Sequence, residues 1–275
     1  DINMGCPVPK VMRSGSGSIL MADPAKCGEI IRAVKRAVDV PVTAKIRLGL
    51  THDTINFRQV IGELEAAGAD AVAVHARTRS ERYVGIPHYD LLEGLQSEMS
   101  VPLIVSGNIY SLDDAIHAEA STGAAGILVA RGGVGNPFLV TQIDRYFRTG
   151  EVLSDPDLHS QAEWCLELAD RLIDEKGEEK AILVMRSIAP KFISGHFGGR
   201  ECRRRLSAEI SDRAGLERLL HEIEDELGRP RQRRIKQAVR CGTRLRSGTF
   251  GFLNKNSRFG AFHSYPDYEK LPSAE

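Results

Sequence analysis

Cys6 stands in the turn Gly5-Cys6-Pro7, just past a strand-like end and ahead of a glycine-serine run. A thiol held between Gly and Pro on a loop is presented to a cavity; the plainer alternative is a small buried hydrophobe. A cysteine that keeps its proton near neutral pH can serve as proton donor as readily as nucleophile. Gly15 and Gly17, interleaved with Ser14, Ser16 and Ser18, read as a mobile loop behind it. Loops that carry an acid and close over a large substrate are a common device.

Further polar groups interrupt apolar segments at Lys45 (TAKIR), His75 (AVHARTR), Gly107 (VSGNI) and Arg131 (VARGG). An ammonium within an apolar strand needs a partner, either a ligand atom or an internal carboxylate. A lone histidine after a strand is often a satisfied core residue. Arg77 and Arg79 beside His75 add a cluster of donors that suits an anionic substrate. The glycine turns at Ser106-Gly107-Asn108 and Ala130-Arg131-Gly132 offer backbone N–H groups to a phosphate, with Arg131 supplying charge.

The elements that must position these groups are four apolar stretches, 40–49, 70–78, 101–109 and 125–133, separated by amphipathic segments. Gly68 and Gly123 fall where a helix end favours a left-handed residue. Alternating strand and helix predict parallel β/α units whose strands are covered on both faces or closed into a barrel. Every candidate residue then falls at a strand C-terminal end, where β/α barrels place their sites. From about 155 the pattern is helical only. Pro156 suits a first helical position, a second helix is expected over 178–194, a third near Arg200 and a last from Ser211-Asp212. The expected organisation is a β/α part at 1–150, a small all-α domain at 151–228 and a basic tail at 229–275.

The chain has 37 Lys/Arg and 37 Asp/Glu, so its net charge is zero. The tail nevertheless holds 11 Lys/Arg against 3 Asp/Glu, which suits either contact with a phosphate backbone or a solvated, poorly ordered segment. Five cysteines at irregular spacing form neither a metal-ligand pattern nor a disulfide framework. No metal, no membrane and a cytoplasmic location are expected.

The segments DINMGCPVPKV, GSGSILMADP, VPVTAKIRLG, VHARTRSERYVG, VPLIVSGNI and GILVARGGVGNPF resemble the tRNA-dihydrouridine synthases, as does MRSIAPKFISGHFGGRECRRRL in the helical part. The resemblance runs from residue 1 to about 227. It implies a TIM (β/α)8 barrel followed by RNA-binding helices, with FMN and NADPH as cofactors and tRNA as partner. The implied reaction is reduction of a uridine C5–C6 double bond, with Cys6 as proton donor. It further implies that Lys45 and His75 contact the isoalloxazine, and that Ser106, Gly107, Asn108, Ala130, Arg131 and Gly132 cradle the FMN phosphate. Arg77, Arg79, Arg203 and Arg204 are the expected tRNA contacts.

Two departures weaken the expected phosphate grip. The family commonly has Asn-Gly-Asp at Ser106-Gly107-Asn108 and Gly-Arg at Ala130-Arg131. The resemblance also enters near the end of a fourth strand. The chain is therefore read as the C-terminal half of a barrel, strands 4 (end) to 8, lacking the first three, inactive by itself and a poor FMN binder. The alternatives are another FMN- or phosphate-binding barrel oxidoreductase, and a non-catalytic RNA-binding remnant.

Overall fold

A computed structural model describes residues 1–193 and 199–228. The expected basic tail at 229–275 lies outside the described residues.

Five parallel strands form one sheet in chain order. They are β1 (Ile2–Asn3), β2 (Thr43–Arg47), β3 (Ala71–His75), β4 (Leu103–Ser106) and β5 (Gly126–Ile127). Helices α1 (Pro9–Arg13), α2 (Pro24–Lys35), α3 (Phe57–Ala66), α4 (Leu95–Glu98), α5 (Leu112–Thr122) and α6 (Phe138–Thr149) lie in the connections and after β5. The architecture is a mixed α/β fold with an all-parallel sheet, consistent with a TIM-barrel-like arrangement. The strands are shorter than the apolar stretches, because the ladder stops at the polar residues that close each one.

The register explains why these strands read as nearly continuous apolar runs. Ala44, Ile46, Val72, Val74, Leu103 and Val105 share one face and belong to the main apolar cluster with Ile31, Val60, Leu64 and Ala115 of the covering helices. Full burial of each large side chain is worth about 1.5–3 kcal/mol. The opposite face carries Lys45, Arg47, Ala73, His75 and Ser106, and Arg47, His75 and Ser106 stand side by side in one row. Helices therefore cover one face, and the second face belongs to the site.

Local signals fix the helix ends. Asn56 precedes α3, and Gly68 just beyond its end has φ +91°. Ser111 and Asp114 form a reciprocal capping box at the start of α5, which ends on left-handed Gly123. Four more helices follow: α7 (Leu158–Lys176), α8 (Glu178–Phe192), α9 (Gly199–Ala208) and α10 (Arg213–Gly228). Helix α7 begins two residues after Pro156, because Asp157 accepts from the Ser160 N–H at 2.8 Å and sets the cap. Asp212 does the same for α10, accepting from the Gly215 N–H at 2.6 Å.

These helices bury a second apolar cluster, including Cys165, Met185, Leu206, Leu216 and Ile223. Phe138 of α6 stacks on Trp164 of α7, tying the helices to the end of the β/α part. Cys27, Cys165 and Cys202 are free and buried, while Cys6 is half-buried. Among the described residues no helix is long and apolar enough to cross a membrane.

Candidate active site at the strand ends

A cavity of about 430 Å³ opens at the C-terminal ends of the strands. Cys6, Lys45, His75, Ser106, Gly107, Asn108, Ala130, Arg131 and Gly132 all line it. Asn3, Arg47, Tyr83 and Tyr110, which sequence reasoning did not single out, line it too. Among the described residues the lining contains the basic side chains Lys45, Arg47, His75 and Arg131 and no carboxylate.

Cys6 is held by short-range contacts. Asn3 Oδ1 accepts from the N–H groups of both Gly5 and Cys6 at 3.0 Å. The Cys6 carbonyl accepts from the Ser18 N–H at 3.0 Å. Gly17 has φ +65°, and a Cβ there would lie 2.8 Å from the Cys6 carbonyl oxygen, so only glycine lets the turn close on Cys6. The glycine-serine run expected to be mobile forms a folded turn behind the thiol, with Gly17 and Ser18 buried.

Arg47 is 2% exposed. Its guanidinium donates to the Gly5 carbonyl at 2.8 Å, Thr78 at 2.9 Å and Arg82 at 2.8 Å, and it lies over the Tyr83 ring. It is the clamp between the Cys6 turn and the loop after β3.

Among the described residues no carboxylate acts on Lys45. Burial and then Arg47 lower its pKa to about 8. Half-buried at the cavity wall, its ammonium is open to water or to a ligand atom. His75 is pushed further, to about 2, by burial and then by Arg47, Lys45, Arg77 and Arg131. Arg77 Nη1 lies 3.3 Å from His75 Nε2; a guanidinium only donates, so Nε2 accepts and the ring proton sits on Nδ1.

Between the ordinary His75 pKa of 6.5 and about 2, the unfolded chain binds a proton that the fold refuses. Stability contributed by neutral His75 is present above pH 6.5 and is lost as pH falls below it. Urea midpoints measured from pH 7 to 4 should therefore fall less steeply in His75→Asn than in the wild type.

The two glycine turns approach each other across the cavity floor. A Cβ on Gly132 would fall 1.9 Å from the Ile109 carbonyl oxygen. Arg131 Nη2 donates to Asn108 Oδ1 at 3.2 Å and lies over the rings of Tyr83 and Tyr110. Asn108 itself has φ +49°. Among the described residues the N–H groups of Gly107, Asn108 and Gly132 have no intramolecular acceptor. Free amides beside an arginine make an anion site.

The structure does not bring every expected residue to a tRNA-accessible position. Arg77 is fully buried, donates to the Val84 carbonyl at 2.9 Å and to Gly85, and is corrected from a tRNA contact to a support for the loop after β3. Arg79 is half-buried, with Nε 3.2 Å from Met12 Sδ. Arg203 is half-buried on α9, and exposed Arg204 pairs with Glu201 and Glu209.

Comparison with known proteins decides the family. The dihydrouridine synthase family model matches residues 1–227. The chain belongs to the dihydrouridine synthase family. A tRNA-dihydrouridine synthase B of Pseudomonas putida is 38% identical over 208 residues, covering 76% of this chain and 62% of that protein. The Pseudomonas syringae protein of the same name is 42% identical over 153 residues, covering 56% of this chain and 45% of its own. A probable tRNA-dihydrouridine synthase of Rickettsia conorii is 35% identical over 195 residues, covering 71% and 59%. The chain thus spans about 45–62% of the length of these curated dihydrouridine synthases. A mandelate oxidase crystal structure aligns at 16% identity and TM-score 0.25, over 75% of this chain and 70% of that one.

Proposed function

We propose that the cavity holds FMN and that the protein is a tRNA-dihydrouridine synthase. The observation that carries this reading is the acid-free cationic cavity in which Lys45 has no acidic partner and two glycine turns present unbonded amides. A phosphate-bearing, electron-rich ring system supplies what each of those groups lacks. Ser106, Gly107, Asn108, Ala130, Arg131 and Gly132 hold the phosphate. Bound there, FMN reduced by NADPH supplies the hydride for the C5–C6 double bond of a uridine in tRNA.

The protein's own groups do the rest. Lys45, whose pKa burial lowers to about 8, is still mainly protonated near pH 7, and its charge stabilises negative charge placed beside it. His75 stays neutral at physiological pH and offers Nδ1–H as a donor. Cys6, braced by Asn3 and Ser18, holds the proton that is delivered to C5 of the base. Arg47 fixes the turn that carries Cys6. The target base must leave the tRNA stack to reach this depth. The helices at 151–228 act as a tRNA-gripping domain beside the flavin-binding part at 1–150, with Arg79, Arg203 and Arg204 on the RNA side, and a cytoplasmic location fits a tRNA substrate.

Removing a positioned general acid costs typically about 10²–10⁴-fold. Cys6→Ala is therefore expected to lower the rate of dihydrouridine formation on unmodified tRNA by at least about 10²-fold, with FMN affinity unchanged. A wild-type rate in Cys6→Ala would remove the acid role. Tight tRNA binding that persists in Cys6→Ala, without turnover even in a chain extended to the length of its curated relatives, would favour a non-catalytic RNA-binding function instead.

A further inference from the structure

Beside the cavity, in the loops after β2 and β3, His52, Glu81 and His88 bring three ligand atoms within 4.8 Å of one another. His88 Nε2 lies 2.7 Å and His52 Nε2 3.7 Å from the same oxygen, Glu81 Oε1. In a tetrahedral zinc site with bonds of about 2.0–2.1 Å, neighbouring ligand atoms are roughly 3.3 Å apart. The two separations bracket that value and the third, between the histidines, is within 4.8 Å, so a metal enters with side-chain shifts of roughly half to one and a half ångström.

Backbone contacts prearrange the three groups. The N–H groups of Arg79 and Ser80 donate to the carbonyls of Gly49 and Leu50 at 2.9 and 3.0 Å, stitching the two loops together. His52 opens a single turn closed by a reciprocal cap between Thr51 and Thr54. The His88 N–H donates to the Ala76 carbonyl at 2.7 Å. The other Glu81 oxygen, Oε2, accepts from both the N–H and the hydroxyl of Thr78 at 2.7 Å. That orients Oε1 toward the histidines, the kind of outer support that metal-ligating carboxylates have.

We propose that His52, Glu81 and His88 bind a divalent transition metal of the zinc class, with a fourth position open to water. Two imidazoles and one carboxylate select zinc or cobalt over magnesium or calcium, which prefer all-oxygen shells. The metal is a clasp on the cavity rim. It ties the turn after β2 to the loop that carries Tyr83 and the Arg82 carbonyl, the latter an acceptor for Arg47.

The test is a Co²⁺ titration of the chelator-treated protein, followed by visible absorption, with Zn²⁺ as competitor. The expected result is one tetrahedral Co²⁺ per chain without a thiolate-to-metal band, displaced by Zn²⁺. The thermal midpoint rises by roughly 5 °C at a hundredfold excess of Zn²⁺ over its Kd. His52 is 58% exposed, so His52→Gln leaves the fold intact and weakens Co²⁺ at least about tenfold. No tetrahedral spectrum, a thiolate band that implicates Cys6, or unchanged affinity in His52→Gln would each overturn the site and leave a histidine–glutamate ion pair.

Discussion

Arg47→Met is expected to lower the stability of the protein by about 3 kcal/mol or more, because it strips the donors from three carbonyls at once. Gly5, Thr78 and Arg82 all direct their oxygens at this guanidinium, and a buried acceptor left unsatisfied costs about 1–3 kcal/mol. An opposing effect exists, since Arg47 repels both Lys45 and His75 in a cavity without a carboxylate. Release of the guanidinium from its own burial acts in the same direction; the loss of a donor to three carbonyls is expected to outweigh both. The variant should therefore show a lower urea midpoint at pH 7 with an unchanged m-value, and a Lys45 pKa raised from about 8. Retained stability would mean that the carbonyls find other donors and that the clamp is dispensable.

The second large effect is Gly132→Ala. The added methyl would sit 1.9 Å from the Ile109 carbonyl oxygen and 2.8 Å from Tyr110 Cα, both backbone, so no rotamer change relieves it. The two glycine turns must move apart, which separates Arg131 from Asn108 and opens the anion cradle. Overpacking typically costs about 1–3 kcal/mol, and this contact belongs at or above the upper end. Gly133→Ala is the internal control: its Cβ would meet only Val129 Cγ1 at 3.5 Å, an ordinary contact. Thermal midpoints and inorganic phosphate affinity should both fall in Gly132→Ala and hold within about 1 kcal/mol of wild type in Gly133→Ala. Equal behaviour of the two variants would contradict the close approach of the turns.

Much of this site is visible in the sequence because charged residues interrupt apolar strands, where only a site or an ion pair explains them. Lys45, His75 and Arg131 stand out on that ground and Gly107 as a turn at a strand end, and the cavity gathers all four. Arg47 was missed because it sits at the polar close of the apolar stretch around β2 and reads as a solvated strand end. Its signal was available in the period of two, which puts it on the same face as Lys45. The row Arg47–His75–Ser106 was beyond reach, since it depends on strand register, which no turn in a β/α unit specifies locally.

Arg77 shows the converse error. Alternation from His75 would return it to the cavity face, but β3 ends at His75. The Arg77 N–H donates back to the His75 carbonyl at 2.6 Å, and the turn buries the guanidinium among loop carbonyls. The run at 14–18 is ambiguous for a related reason. Its glycines permit a tight turn against Cys6 as readily as an open loop, and only the Ser18–Cys6 hydrogen bond distinguishes the two.

The central claim is that this cavity recognises a flavin through its phosphate. The most direct measurement compares FMN with riboflavin by quenching of flavin fluorescence, in the wild-type protein and in Arg131→Ala. Whatever the absolute affinity, FMN should bind at least about tenfold more tightly than riboflavin, consistent with hydrogen bonds to a charged group worth about 1.5–3 kcal/mol. Arg131→Ala should erase most of that difference. Equal affinity for the two flavins, or an FMN preference untouched by Arg131→Ala, would contradict the assignment of the two glycine turns as the phosphate cradle.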